Sequence, residues 1–136
     1  MAETEKKTRK SAKAAAKKAA LPAGPTARLS YLRIAPRKVR LVADNVRGRP
    51  VGDALAMLKF TPNAAAKPLA KLLRSAVANA ETKGGNVDVD RLVVKTLTVD
   101  GGPKLRRFMP RAMGRAYRVE KRTSHVFVEL STGARA

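Results

Sequence analysis

The apolar positions of this chain change period several times, and each change marks an element. Residues 26–34, TARLSYLRI, mix β-branched and aromatic side chains and predict a strand or extended lead-in. Ala35-Pro36 opens a helix, since proline suits a first turn. Val39, Val42, Ala43 and Val46 recur there at helical spacing, and Gly48 closes the segment. The opposite face carries Arg37, Lys38, Arg40 and Arg47. Pro50 precedes a short second helix with Val51, Ala54, Leu55 and Leu58 on its buried side. Thr61 as N-cap and Pro62 as first helical residue start a third, longer helix. Its stripe runs through Ala65, Leu69, Leu72, Leu73, Ala76 and Ala80. Pro68 falls inside that helix, where a missing N–H predicts a bend. Gly84-Gly85 ends it, and Asn86 to Asp90 form a polar turn.

Two strands follow. LVVKTLTV, from Leu92 to Val99, is nearly continuous in β-branched residues and Leu, so one face is expected to be buried. The closing strand runs from about Arg118 to Leu130. It becomes apolar only at Val126, Phe127, Val128 and Leu130, so traced backwards it leaves the core. Between Val99 and Arg118 lies DGGPKLRRFMPRAMGRAY. Connections inside domains have a median of about 4–6 residues, and much longer ones are usually functional or disordered. This one interleaves Leu105, Phe108, Met109 and Met113 with Lys104, Arg106, Arg107, Arg111 and Arg115. It reads as a two-stranded arm at about 99–119 with its tip around Arg107 to Ala112. An isolated hairpin is marginal in water, so the arm needs a partner around it.

Charge names the class of partner. Thirty Lys and Arg face ten Asp and Glu in 136 residues, a formal charge of +20. Such self-repulsion is relieved by a polyanion, and nucleic acid gains further from counterion release. Residues 1–25 form a Lys/Ala-rich tail with almost no large apolar side chains, expected to be disordered when free. Residues 26–136 form the domain. No cysteine and one histidine, His125, leave no metal or thiolate chemistry, so no cofactor is expected. No apolar run is long enough to span a membrane. Without a secretory signal, the cytoplasm is the default. Gly101-Gly102-Pro103 lacks the spacing of a phosphate-binding loop, and no nucleophile stands beside a base, so no catalytic residue is assigned.

APRKVRLVADNVRG at 35–48, KLLRSAVANAE at 71–81 and VDGGPKLRRFMPRAMGRAYRVEKRTSHVFVEL at 99–130 resemble, in order and spacing, the hallmark segments of the ribosomal protein L22 family. PRAMGRA followed by KRTSH is the most specific pair, and the resemblance covers about 26–131. It implies an α+β fold: three helices on a small three-stranded antiparallel sheet, with a long protruding β-hairpin. It also implies a bacterial-type large-subunit protein that binds 23S rRNA, helps the 50S subunit assemble, and lines the nascent-peptide exit tunnel with its hairpin. The implied neighbours are ribosomal protein L4 at the tunnel constriction, the passing nascent polypeptide and the macrolide-binding region. Lys104 to Arg115 would then face the tunnel or clasp rRNA, with Arg106, Arg107 and Arg111 innermost. The tail and the tip wording LRRFMPRAM depart from the family pattern.

The expected rRNA contacts of the arm are Lys104, Arg106, Arg107, Phe108, Met109, Arg111, Arg115 and Arg118. Arginine suits bidentate pairing with phosphate, and Phe108 can stack on an exposed base. On the body, Arg28, Arg33, Arg37, Lys38, Arg40, Lys121, Arg122, Thr123 and Ser124 are the expected contacts. Arg37 and Lys38 sit against the helix dipole, a mild penalty that a phosphate offsets. Thr123 or Ser124 could alternatively hydrogen-bond within the sheet, and His125 reads as packed rather than catalytic. An architectural DNA-binding protein with basic β-arms is the main rival. Such proteins act as symmetric dimers, whereas no spare apolar face here predicts a homo-oligomer.

Overall fold

A computed structural model describes residues 24–84 and 88–132. The tail before Gly24, and Gly85 and Asn86 of the expected helix end and turn, lie outside the described residues. In chain order the elements are β1 (Thr26–Leu32), α1 (Pro36–Asp44), α2 (Val51–Phe60), α3 (Ala66–Gly84), β2 (Leu92–Pro110) and β3 (Ala116–Thr132). The strands form one antiparallel sheet in the order β1-β3-β2, so the last strand of the sequence is the central one. This is the α+β arrangement that the resemblance implies, hairpin included.

The helices cover one sheet face. Ala27, Val126, Val128 and Leu130 are buried at alternate positions of β1 and β3, as are Leu92 and Val94 at the start of β2. The next buried positions of β2 are Leu97 and Val99, which breaks strict alternation. A bulge repairs it: Val94 pairs with Leu130 and Thr96 with Glu129, leaving Lys95 as the extra residue. The uniform apolar run is thereby sorted into an inner and an outer row. Every residue of the expected α3 stripe is buried, with Ala76 and Ala80 letting neighbouring elements approach closely.

Two helix starts and stops differ from expectation. Thr61 caps the end of α2 rather than the start of α3: its hydroxyl donates to the Met57 carbonyl at 2.7 Å and its N–H to the same oxygen at 3.0 Å. The chain needs four more residues before α3 begins at Ala66, and its first i→i−4 bond runs from Leu69 N–H to the Ala65 carbonyl. Pro68 thus stands in the first turn, where amides have no helical acceptor, so no bond is lost and the expected bend has no cause. Likewise α1 ends at Asp44, before Gly48. The backbone leaves the helix because Gly48 N–H donates to the Val94 carbonyl and Val94 N–H to the Arg49 carbonyl, both at 3.0 Å. Gly48 adopts φ +72° there, in the left-handed region that suits glycine.

Those bonds shield the free edge of β2. Arg40 of α1 and Arg47, in the turn that follows it, continue the work. Arg40 donates through Nε and Nη2 to the Val99 carbonyl at 3.2 and 2.9 Å, and Arg47 donates through Nε to the Leu97 carbonyl at 2.7 Å. An edge strand with unpaired carbonyls invites foreign strands, and side-chain donors close it.

At the root of the arm the ladder carries a second bulge. Gly101 pairs with Ser124 and Lys104 with Arg122, so Gly102 and Pro103 oppose Thr123 alone. The Thr123 hydroxyl donates to the Pro103 carbonyl at 2.7 Å. A Cβ on Gly102 would meet Thr123 Oγ1 at 2.5 Å and His125 Nε2 at 2.9 Å, so only glycine fits.

Leu73→Ala, at a position 1% exposed, is expected to cost about 2–5 kcal/mol in urea unfolding, whereas Lys71→Ala on the exposed face should stay within about 0.5 kcal/mol. Equal losses would show that the helix faces are misassigned. Gly102→Ala is expected to destabilise by about 1–3 kcal/mol through overpacking of the arm root. An unchanged melting temperature would contradict the tight approach.

Candidate nucleic-acid interface

Beyond Gly102, β2 and β3 continue without helices to cover them. Residues 103–118 are all exposed, and only Val119 of the outer ladder is half-buried. The pairing nevertheless persists through Leu105↔Lys121, Arg106↔Glu120, Arg107↔Val119, Phe108↔Arg118, Met109↔Tyr117 and Pro110↔Ala116. At about 3.4 Å per residue, the paired length from Lys104 to Pro110 is roughly 20 Å. The strands therefore run further than expected, and the tip lies at Arg111–Arg115 instead of Arg107–Ala112. A short 3₁₀ turn, Ala112–Gly114, makes the reversal, with Met113 at φ 60° and Gly114 at φ 68°. Arg111 N–H donates to the Arg115 carbonyl at 2.8 Å and closes the loop. Two left-handed residues turn the strand direction within five positions, a geometry that sequence patterning did not locate.

Strand alternation divides the arm into two faces. Opposite pairs put Leu105, Val119, Met109 and Tyr117 on one side with Arg107 and Lys121. The other side carries Lys104, Arg106, Arg118 and Arg122 around Phe108, with Glu120 as its one acid. Phe108 is 75% exposed and Met113, at the tip, 92%. Lys104 Nζ lies 3.1 Å from Glu120 Oε2. That hydrogen bond, and then the Lys104 charge with Arg122 and Arg106, holds the Glu120 carboxyl below its ordinary value. Arg111 lies 5.8 Å from the Tyr117 ring centroid, a cation–π distance.

The body residues separate into exposed and internal groups. Arg28, Arg33, Arg37, Lys38, Lys121 and Arg122 are exposed. Arg40 is different, because its guanidinium is bound to Val99 and its role is at least partly structural. Thr123 and Ser124 are corrected outright as phosphate donors. They are buried, and their hydroxyls point inwards, Thr123 to Pro103 and Ser124 to the Ile34 carbonyl at 2.6 Å. Both hydroxyls lie beside irregularities of the sheet, the bulge at the arm root and the register shift in β1, and each donates to a backbone oxygen there. His125 is a packed histidine: its Nδ1 accepts the Tyr31 N–H at 3.3 Å, and the two rings meet edge-on at 4.8 Å. Tyr31 itself has φ 58° and is 65% exposed, strain that the His125 contacts hold in place.

Two features escaped the sequence reading. Arg47 was one more cation on an expected helix face, yet it ties the turn after α1 to β2; no one-dimensional signal marks which arginine meets an edge carbonyl. Lys67 and Lys71 share a groove with Arg28, across elements about forty residues apart. Their spacing of four on the polar row of α3 was the available signal.

Comparison with known proteins places this geometry. The family described as ribosomal protein L22p/L17e matches residues 27–131, which includes the sheet, all three helices and the whole arm. The chain is 80% identical over 109 residues to the large ribosomal subunit protein uL22 of Anaeromyxobacter sp. (strain Fw109-5), covering 80% of this chain and 76% of that protein. It is 59% identical to the uL22 of Geobacter sulfurreducens over 106 residues, 78% of this chain and 95% of that protein. Against the uL22 of Myxococcus xanthus it is 60% identical over 107 residues, 78% of this chain and 94% of that protein. The chain belongs to the ribosomal protein L22 family of large-subunit structural proteins.

Proposed function

We propose that this chain binds 23S rRNA in the large subunit of cytoplasmic ribosomes, aids its assembly, and lines the nascent-peptide exit tunnel with its arm. The observation that carries this reading is the arm itself. It is a paired ladder with no core, rich in cations on both faces and carrying exposed Phe108, Met109 and Met113. Such a hairpin is marginal in water and gains its order from what surrounds it. Folded rRNA supplies both needs, phosphates for the guanidinium groups and unstacked bases for the aromatic ring. Once threaded between RNA helices, the arm holds them in one relative arrangement, the physical content of an assembly role.

In this reading Lys104, Arg106, Arg107, Arg111, Arg115 and Arg118 neutralise phosphates, while Phe108 and Met109 make base or wall contacts. Because the tip is Arg111–Arg115, the innermost cations are Arg111 and Arg115, with Arg107 about four residues behind. Ribosomal protein L4, the nascent polypeptide and the macrolide-binding region are neighbours of that tip. On the body, Arg28, Arg33, Arg37, Lys38, Lys121 and Arg122 contact rRNA, and Arg40 does so only with donors that Val99 leaves free. Nothing in this set performs chemistry; the protein acts by position and charge.

Replacing 105–121 with a two-residue Asn-Gly turn joins the opposed Lys104 and Arg122. The shortened protein is expected to melt cooperatively, because no buried core residue lies in that segment. It removes Arg106, Arg107, Arg111, Arg115, Arg118 and Lys121, so the salt dependence of binding to 23S rRNA should become much shallower, by roughly 0.7–0.9 in log–log slope per phosphate lost. Crosslink mapping of the full chain should place arm crosslinks on 23S rRNA around the tunnel. Diffuse crosslinks to duplex DNA, with no rRNA enrichment, would overturn the reading.

The Lys104–Glu120 pair makes the free arm sensitive to acid. A depressed carboxyl pKa contributes stability above the unfolded-state value and loses it as pH falls through the folded-state value. Glu120 backbone amide shifts, followed by NMR, should therefore move at a lower pH than those of an ordinary glutamate, and Glu120→Gln should abolish that transition at Lys104. A transition at Lys104 that survives the substitution would assign it to another group.

A further inference from the structure

The body carries a basic groove to which the arm contributes no residue. It lies between β1 and the first three turns of α3 and holds about 490 Å³, within the roughly 300–1,000 Å³ of ordinary ligand sites. Its floor is apolar, made by Leu29 of β1 with Pro68 and Leu72 of α3. Its rim is cationic: Arg28 on one side, and Lys67 and Lys71 on the other, with the small Ser75 at one end. Lys67, Lys71 and Ser75 follow one another every fourth residue along a single helical row. Among the described residues, none of the three cations is within salt-bridge distance of a carboxylate. Lys67 also stands second in a nineteen-residue helix whose first turn has no acid, where the dipole opposes a cation.

We propose that this groove takes an unpaired nucleotide of RNA, its base on the Leu29–Pro68–Leu72 floor and its flanking phosphates on Arg28, Lys67 and Lys71. The inference rests on the rRNA-binding reading and adds a second, single-stranded contact on the opposite side of β1 from the arm's root strands. Charge selects the occupant. Three cations without a carboxylate fit a polyanion, and a second copy of this chain, itself at +20, is repelled. The apolar floor selects further: a duplex presents only its backbone here, whereas an unstacked base has an apolar face to bury. The groove thereby gives the protein a way to distinguish a bulge or loop from a helix.

The test uses the full chain and a single-stranded RNA octamer containing 4-thiouridine, alone and annealed to its complement. Photocrosslinks of the single strand are expected on Pro68, Leu72 or Ser75 as well as on the arm, and the duplex should lose the groove crosslinks. Lys67→Gln with Lys71→Gln, both exposed, should leave the melt unchanged and remove the groove crosslinks while the arm crosslinks stay. It should also reduce the log–log salt slope by about 1.4, at roughly 0.7 per phosphate for single strands. Crosslinks confined to the arm, or an unchanged slope, would overturn the groove and leave the rRNA reading standing. Groove crosslinks that persist in the duplex would overturn the unpaired base. Failure of arm and groove together would count against the rRNA reading itself.

Discussion

The β2–β3 ladder is anchored at one end, and both the body and the arm follow from that constraint. From Leu92 and Thr132 to Gly101 and Ser124 the paired strands lie under the helices, with Leu97, Val99, Val126 and Val128 buried between them. From Lys104 and Arg122 outwards the same two strands continue with nothing beneath them. The inner half is stabilised by burial, at about 1.5–3 kcal/mol per fully buried large aliphatic side chain. The outer half inherits register and direction from the inner half, since its pairing starts already in place. A free hairpin must close its own loop entropy; this one only extends a ladder that already exists.

The junction between the halves is correspondingly tight. Gly102 gives the backbone room beside Thr123 and His125, Thr123 binds the Pro103 carbonyl, and Ser124 binds Ile34 in the link from β1 to α1. His125 in turn holds the left-handed Tyr31 of β1. The root therefore touches the third strand, β1, and the lead-in to α1, so the direction of the arm is fixed relative to the body. That rigidity holds the guanidinium groups of the arm at fixed spacing, which suits the proposed pairing with phosphates.

Positive charge serves two purposes that look alike in composition. Arg40 and Arg47 are absorbed by carbonyls of the β2 edge, and Lys95 pairs with Glu129 at 3.2 Å. These cations hold the fold together. The arm cations and the rim of the α3 groove have almost no acidic partners, and they direct their share of the chain's net charge of +20 outwards. The protein alone carries the repulsive cost of that arrangement, and a polyanion relieves it.

Much was legible in the amino-acid order. The apolar period alone placed the α3 stripe from Leu69 to Ala80, the core positions of α1 and α2, and the two strands, because burial at fixed periods is what patterning records; it missed Ala66, buried at the start of α3. The exposed arm was legible too, since a long basic connection with interleaved apolar residues has few physical uses. Pairing, not pattern, decided the rest. The Lys95 bulge sorted a uniform β-branched run into two faces, and the left-handed Met113 and Gly114 set the tip later than composition suggested. Thr61 went to the end of α2, where its hydroxyl and its N–H share the Met57 carbonyl. Thr123 and Ser124 turned inwards, and Arg40 and Arg47 were claimed by edge carbonyls. Each of these choices depends on a hydrogen-bond partner 4 to 90 residues away, and a local sequence pattern carries no record of which distant carbonyl will lack a donor.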